Sequence, residues 1–207
     1  MAFPTDLTSV LTGATTTQLA SWRRGKNPLL VPEYGNKPTA LYSFRDLVAL
    51  RTVASLRSQI PLQRIRKAFQ SLQDMDLTEH PSRYTLVTDG DSVFLVEGAE
   101  AVDLVKRPRQ IILTTLDDVF KPFLNFKQQE VVNFINPRPR LEVREARMGG
   151  WPTIAGTRVP YDTVANLVGN GDVPASAISK FFPTVAPGDV PDAVDFALQV
   201  SDIGKAS

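Results

Sequence analysis

Between Thr8 and Arg24 two short helical patterns are separated by only three residues, Thr12-Gly13-Ala14. So short a break forces a tight turn and packs the two helices against each other. Val10 and Leu11 close the first helix. Thr15 or Thr16 can cap the second, because a hydroxyl there accepts a bond from an orphan backbone N–H. Leu19 and Trp22, spaced i, i+3, define its buried side, and that spacing assigns Trp22 to the core rather than to base stacking. Thr16, Thr17, Ala20, Ser21 and Arg24 fall on the other side. The face is small and hydrogen-bonding near the start and basic at the end, which suits a helix that enters a DNA major groove N-terminus first.

The pattern continues in kind. Pro28-Leu29-Leu30-Val31-Pro32 and Tyr34 to Tyr42 read as a β-wing, with Gly35 and Asn36 at the turn and Lys37 near the tip. Ser43 opens a helix, with Asp46 completing a capping-box variant and Leu47, Leu50, Val53, Ala54 and Leu56 on its apolar face. Pro61 fits the first turn of another helix that buries Leu62, Ile65, Ala68, Phe69 and Leu72 and turns Arg64 and Lys67 outward.

The middle of the chain is β-rich. Tyr84 to Thr88 and Ser92 to Val96 flank Asp89-Gly90-Asp91, a hairpin signal. A strand is expected at Gln110 to Thr114, and a short helical piece at Leu116 to Phe120. Asn136-Pro137-Arg138-Pro139-Arg140 reads as a stiff, extended linker. Beyond it, Leu141 to Arg147 alternates like an edge strand, and Gly149 to Pro160 is too rich in Gly and Pro for regular structure. Three short helices are expected at Tyr161–Val168, Pro174–Phe182 and Asp189–Val200.

Net charge is only +1, but it is unevenly spread. Residues 1–73 hold ten bases (Arg23, Arg24, Lys26, Lys37, Arg45, Arg51, Arg57, Arg64, Arg66 and Lys67) against Asp6, Glu33 and Asp46, a balance of +7. The remainder carries −6. Such asymmetry points to a polyanion partner for the first part, whose binding would be driven by counterion release. A fragment 1–73 is accordingly expected to bind DNA with steep salt dependence, and 141–207 is not.

Catalysis finds little support. The chain has no cysteine and a single histidine, His80, in a turn-like context with no nucleophile elbow. Asp89/Asp91 and Asp117-Asp118 read as solvated turn acids rather than metal ligands. Gly149-Gly150 and Gly156 form neither a dinucleotide nor a Walker A loop. No cofactor is expected. No apolar run approaches the ~18 residues of a membrane span, and the first residues lack the features of a signal peptide. A cytoplasmic location is expected.

Two stretches resemble known families. Leu11 to Trp22, followed by the wing pattern and Tyr42-Ser43-Phe44-Arg45-Asp46-Leu47, looks like a MerR-type winged helix-turn-helix. The resemblance implies that Thr16, Thr17, Gln18, Ser21, Arg23, Arg24 and Lys26 face bases or nearby phosphates, and that Lys37 and Arg45 face phosphates. No long coiled coil and no metal-binding cysteines follow, unlike the metal- and drug-sensing members. Pro152 to Pro160, with Phe182-Pro183 and Val190 to Ala197, resembles a small homeodomain-like module found in antitoxins paired with PIN-type ribonuclease toxins. The order of the two resembles VapB-type antitoxins, which implies a toxin partner. In such a module the third helix reads DNA. Here it carries Asp189, Asp192 and Asp195, which phosphates would repel. Protein contact is therefore expected there, through Val190, Val194, Phe196 and Leu198, unless these residues fill the module's own core. Arg158 is either a functional cation or, the favoured reading, holds its loop through turn carbonyls.

The reading is an α+β chain: a DNA-binding winged helix over 1–80, a β-rich region over 81–136 and a homeodomain-like module over 137–207. Its expected role is that of a non-enzymatic, homodimeric antitoxin that binds operator DNA and sequesters a PIN-type ribonuclease. The alternatives are a regulator without a toxin and an interaction adaptor.

Overall fold

The computed structural model describes residues 1–25, 28–74, 82, 85–88, 93–97, 100–103, 119–169, 171 and 173–205. Lys26, His80, the Asp89-Gly90-Asp91 turn, the strand expected at 110–114 and Asp117-Asp118 lie outside them. The fold is α+β: helices surround small antiparallel sheets.

Helix α1 (Thr5–Thr12) is buried from Leu7 onward and ends at Gly13, whose φ of 77° places it in the left-handed region. Helix α2 (Thr16–Trp22) follows, capped as its sequence indicates. Thr15 Oγ1 accepts from the Gln18 N–H at 3.2 Å, and Gln18 Oε1 accepts from the Thr15 N–H at 2.9 Å. Helix α3 (Phe44–Arg57) has the Ser43/Asp46 capping box. Asp46 Oδ2 accepts from Ser43 N–H and also from Glu33 N–H, 2.9 Å away, so the same carboxylate anchors the preceding loop. Helix α4 (Leu62–Asp74) begins directly after Pro61.

The expected β-wing is not a β-ribbon. Among the described residues of 28–42 only Tyr42 bridges, to Phe3. The rest is a loop closed by the Leu41 N–H donating to Gly35 O at 3.0 Å. Pro28, Pro32 and Pro38 supply no N–H for a ladder, and Leu29 and Leu30 turn inward to the core instead.

Strands β1 (Thr85–Thr88) and β2 (Val93–Glu97) pair antiparallel, as the hairpin signal indicates. β3 (Glu100–Asp103) joins β2; its Glu-Ala-Val-Asp sequence offers no apolar alternation to announce it. A second hairpin, β4 (Phe123–Leu124) and β5 (Glu130–Val131), is too short to leave any periodicity.

Strand β6 (Leu141–Glu142) pairs with β7 (Thr153–Ile154), so the Gly/Pro-rich segment does contain a strand. Helix α5 (Tyr161–Gly169) packs on the long α7 (Val190–Lys205), with Tyr161 edge-on to Phe196 at 4.8 Å. Between them, a 3-10 turn at Ala175–Ala177 leads into the four-residue α6 (Ile178–Phe181).

Residues 136–140 do not act as a spacer. Arg138 Nε donates to Asp195 at 2.6 Å, its other nitrogens reach Pro137 O and Gln199, and Arg140 N–H donates to Asp192 at 2.7 Å. The segment therefore lies along α7. One buried cluster runs from α1 to α7: Phe3 stacks on Trp151 at 5.6 Å and Phe44 meets Phe134 at 5.7 Å. A Cβ on Gly150 would fall 2.2 Å from the Phe44 ring.

Arg51 ties these parts together from α3. It is fully buried, and its guanidinium donates to five carbonyls: Leu11 at 2.5 Å, Val119 at 2.6 Å, Lys121 and Val132 at 2.8 Å, and Phe120 at 3.3 Å. The Phe123 and Phe134 rings lie 5.2 and 5.5 Å from it. Burial pushes its pKa down to about 9, so it remains a cation at neutral pH.

Candidate nucleic-acid interface

Helix α2 sorts its residues as an amphipathic helix should. Leu19 and Trp22 are buried, whereas Thr17 and Ser21 are exposed, as is Arg24 just past the helix end. Of the nominated residues described between 16 and 24, these three are the exposed ones. Thr16 and Gln18 are half-buried, and the Gln18 side chain is committed to the capping box. Arg23 is half-buried and donates to Tyr42 Oη at 3.4 Å; burial raises the pKa of that phenol. Gln18 and Arg23 thus make contacts within the chain, the first to its own helix start and the second to Tyr42. A capping glutamine and a groove-reading glutamine look alike in sequence.

The positive face is narrower than the charge count implied. Arg51 is withdrawn into the core. Arg45 is exposed but pairs with Glu33, and Arg57 donates to Ile60 O at 3.2 Å while lying 5.5 Å from the Phe126 ring centre. Lys37 is exposed on the 33–41 loop. The signal for Arg51 was present: at i+4 from Leu47 and next to Leu50, it falls on the apolar face of α3.

The start of α2 is not isolated. Thr15, Thr16 and Thr17 line a cleft of about 330 Å³ opposite Asn125, Lys127, Gln129 and Glu130 of the β4–β5 hairpin, with Gln199 and Ile203 of α7 at its margin. Asn125 Nδ2 donates to Gly13 O at 3.3 Å, and a Cβ on Gly13 would lie 2.4 Å from Val131 Cγ2. The hairpin thus packs directly on the α1–α2 turn. Sequence reasoning passed over this element.

At the C-terminal end, the structure corrects the expected protein-contact surface. Val190 and Phe196 are buried within this chain, Phe196 completely, against Tyr161 and beneath Arg138. Val194 is half-buried against the same core. Leu198 alone of the four is exposed, at 57%. The three acids of this region are also occupied: Asp195 by Arg138, Asp192 by the Arg140 N–H, and Asp189 by the Ala186 N–H with Arg140 3.9 Å away.

The Gly156-Thr157-Arg158 loop is held without Arg158. Buried Glu142 accepts from the Gly156 N–H at 2.9 Å and pairs with Arg144 and Arg147. Thr157 Oγ1 donates to Ile154 O and accepts from the Val159 N–H. Arg158 is exposed and makes no polar contact among the described residues, contrary to the carbonyl-bonding role expected of it.

This loop lies in the stretch that matches a family model. Residues 141–197 match DUF433, a protein family of unknown function. The match covers β6, β7, α5, α6 and the first half of α7, and stops short of α1–α4 and both central hairpins. No match was found among curated proteins or among solved structures. Among the described residues, no helix is long and apolar enough to cross a membrane.

Proposed function

We propose that the chain is a DNA-binding antitoxin whose α2 enters the major groove of operator DNA, acting in the cytoplasm as a homodimer. The observation that carries this reading is the outward face of α2. Thr17 and Ser21 stand exposed on a helix that a tight turn and a capping box hold in place, and Arg24 is exposed just beyond its C-terminal end. The hydroxyls can bond to base edges or phosphates, and Arg24 can reach a guanine or a phosphate. In this reading α1 to α4 form a variant of the MerR-type winged helix in which a proline-rich loop replaces the wing. A twofold dimer would meet half-sites about one helical turn, roughly 34 Å, apart.

The toxin partner, a PIN-type ribonuclease, is proposed from the resemblance of the 152–197 segment to antitoxin modules. Of the residues nominated for that contact, Leu198 has the accessible surface for it. The chain's role is stoichiometric: it holds the toxin and, with it, represses their shared promoter.

The test is the full chain titrated against DNA from upstream of its own coding region. Arg24→Ala should weaken binding by about 1–3 kcal/mol if the side chain meets a base. Unchanged affinity removes Arg24 from the interface. Co-expression with the adjacent gene product tests the partner separately.

A further inference from the structure

The β4–β5 hairpin places an exposed lysine across a cleft from the start of α2, where Thr17 belongs to the exposed face that the proposed function uses. We infer that this hairpin is a second DNA-contacting element: the cleft between its tip and α2 seats the phosphate backbone of a duplex, with Lys127 as the cation. The inference rests on the reading of α2 as the groove-facing helix, and extends it to a part of the chain that neither the family match nor the winged-helix pattern covers.

The first argument is rigidity. Asn125 organises the tip by accepting from the Lys127 N–H at 2.9 Å and the Gln129 N–H at 3.1 Å, while its amide reaches across to Gly13 O. Val131 fills the space that Gly13 leaves by lacking a side chain. The tip and the α1–α2 turn are therefore fixed to one another, and Lys127 is carried with α2 wherever α2 docks.

The second is chemistry. Across the cleft stand the side chains of Thr15, Thr16 and Thr17, with Gln129 beside Lys127. Hydroxyls, amides and one ammonium are the groups that bind phosphodiesters without reading sequence. Phe126 brings a further cation close: Arg57 and Lys127 lie 5.5 and 6.0 Å from its ring centre. Glu130, on β5, lines the same cleft and is the opposing charge. A single lysine in an open cleft has little hold on a small free anion, whereas a duplex adds the release of condensed counterions.

The third is position. The 33–41 loop, where a wing was expected, forms no ribbon, and Arg45 beside it is paired with Glu33. The 123–131 hairpin is the described ribbon adjoining α2.

The experiment uses the full chain and a mixed-sequence 30-base-pair duplex, because a phosphate contact acts on any sequence. Lys127→Ala should lower the slope of log K against log salt by about 0.9. The affinity lost between about 50 and 200 mM salt then becomes about 3.5-fold smaller. The chain contains no cysteine, so Lys127→Cys accepts a single iron-chelate label, and its hydroxyl radicals should cut the bound duplex backbone, spread over the registers the chain occupies and suppressed at high salt. Wild-type binding with an unchanged slope in Lys127→Ala and no cutting from position 127 overturns this inference and leaves the role of α2 standing. A wild-type chain that fails to bind the duplex even at low salt overturns both.

Discussion

Replacing Arg51 by methionine keeps most of its apolar stem but removes the cation that joins α1, α3 and the 119–132 segment. Each charge-assisted bond is worth about 1.5–3 kcal/mol before desolvation is counted. Keeping a guanidinium away from water offsets much of that sum. The variant loses the remainder and leaves the carbonyls of Leu11, Val119 and Val132 without their donor. Truncating one side of a buried charged network costs about 3–5 kcal/mol, and that is the loss expected for Arg51→Met. With a urea slope of about 2–3 kcal/mol per molar, the midpoint should fall by about 1–2.5 M. Arg51→Lys should recover little, because three donors on one nitrogen cannot fan over five acceptors. The assay is urea unfolding followed by circular dichroism. A shift below about 1 kcal/mol for Arg51→Met would refute the clamp, since desolvation would then cancel the bonds.

Other expectations follow from the same contacts. The folded pKa of Arg51 is depressed, to about 9, so below it both folded and unfolded chains hold the proton; its contribution should be flat from about pH 6 to 8 and change only in alkali, as urea midpoints across that range would show. Gly13→Ala combines a positive φ with the clash against Val131 and should cost at least about 2 kcal/mol, read as a fall in Tm. Phe196→Ala should destabilise the chain by about 3–5 kcal/mol. Leu198→Ala should leave the unfolding curve within about 0.5 kcal/mol of wild type while weakening retention of a co-expressed toxin. A fragment 1–73 lacks the acceptors of Arg51 in 119–132 and the aromatic partners Phe134 and Trp151, so it should lose cooperative unfolding by calorimetry. DNA binding is accordingly a property to measure on the whole chain.

What could be read from the residues was what a local pattern encodes. The Thr15 and Ser43 caps, the Gly13 turn and the inward Leu19 and Trp22 depend on neighbours three or four positions away, and all stand in the structure. The 85–97 hairpin and the helices near 161 and 190 were legible for the same reason. Long-range roles were not. Arg51 falls on the apolar face of α3, which hints at its burial, but nothing nearby in sequence shows the carbonyls 40 and 68 residues distant that it serves. Gln18 has the chemistry of a groove contact but spends it on its own helix. Val190 and Phe196 are apolar whether they face a partner or Tyr161, and only the packing decides. The Pro-Arg-Pro-Arg segment, expected to be extended, instead bends into a turn closed by the Leu141 N–H donating to Arg138 O, and it lies against α7 because its arginines and backbone meet Asp192 and Asp195. The 123–131 hairpin left no signal, since two-residue strands have no period.

The central claim is that the outward face of α2 meets a specific DNA sequence. Fluorescence anisotropy of the full chain, on a duplex from upstream of its own coding region and on a shuffled duplex of equal composition, measures this at a fixed salt near 0.15 M. The account predicts at least about a thousandfold preference for the upstream duplex, largely lost when Thr17, Ser21 and Arg24 are all replaced by alanine. Equal affinity for the two duplexes, or a preference that survives the triple substitution, would contradict it.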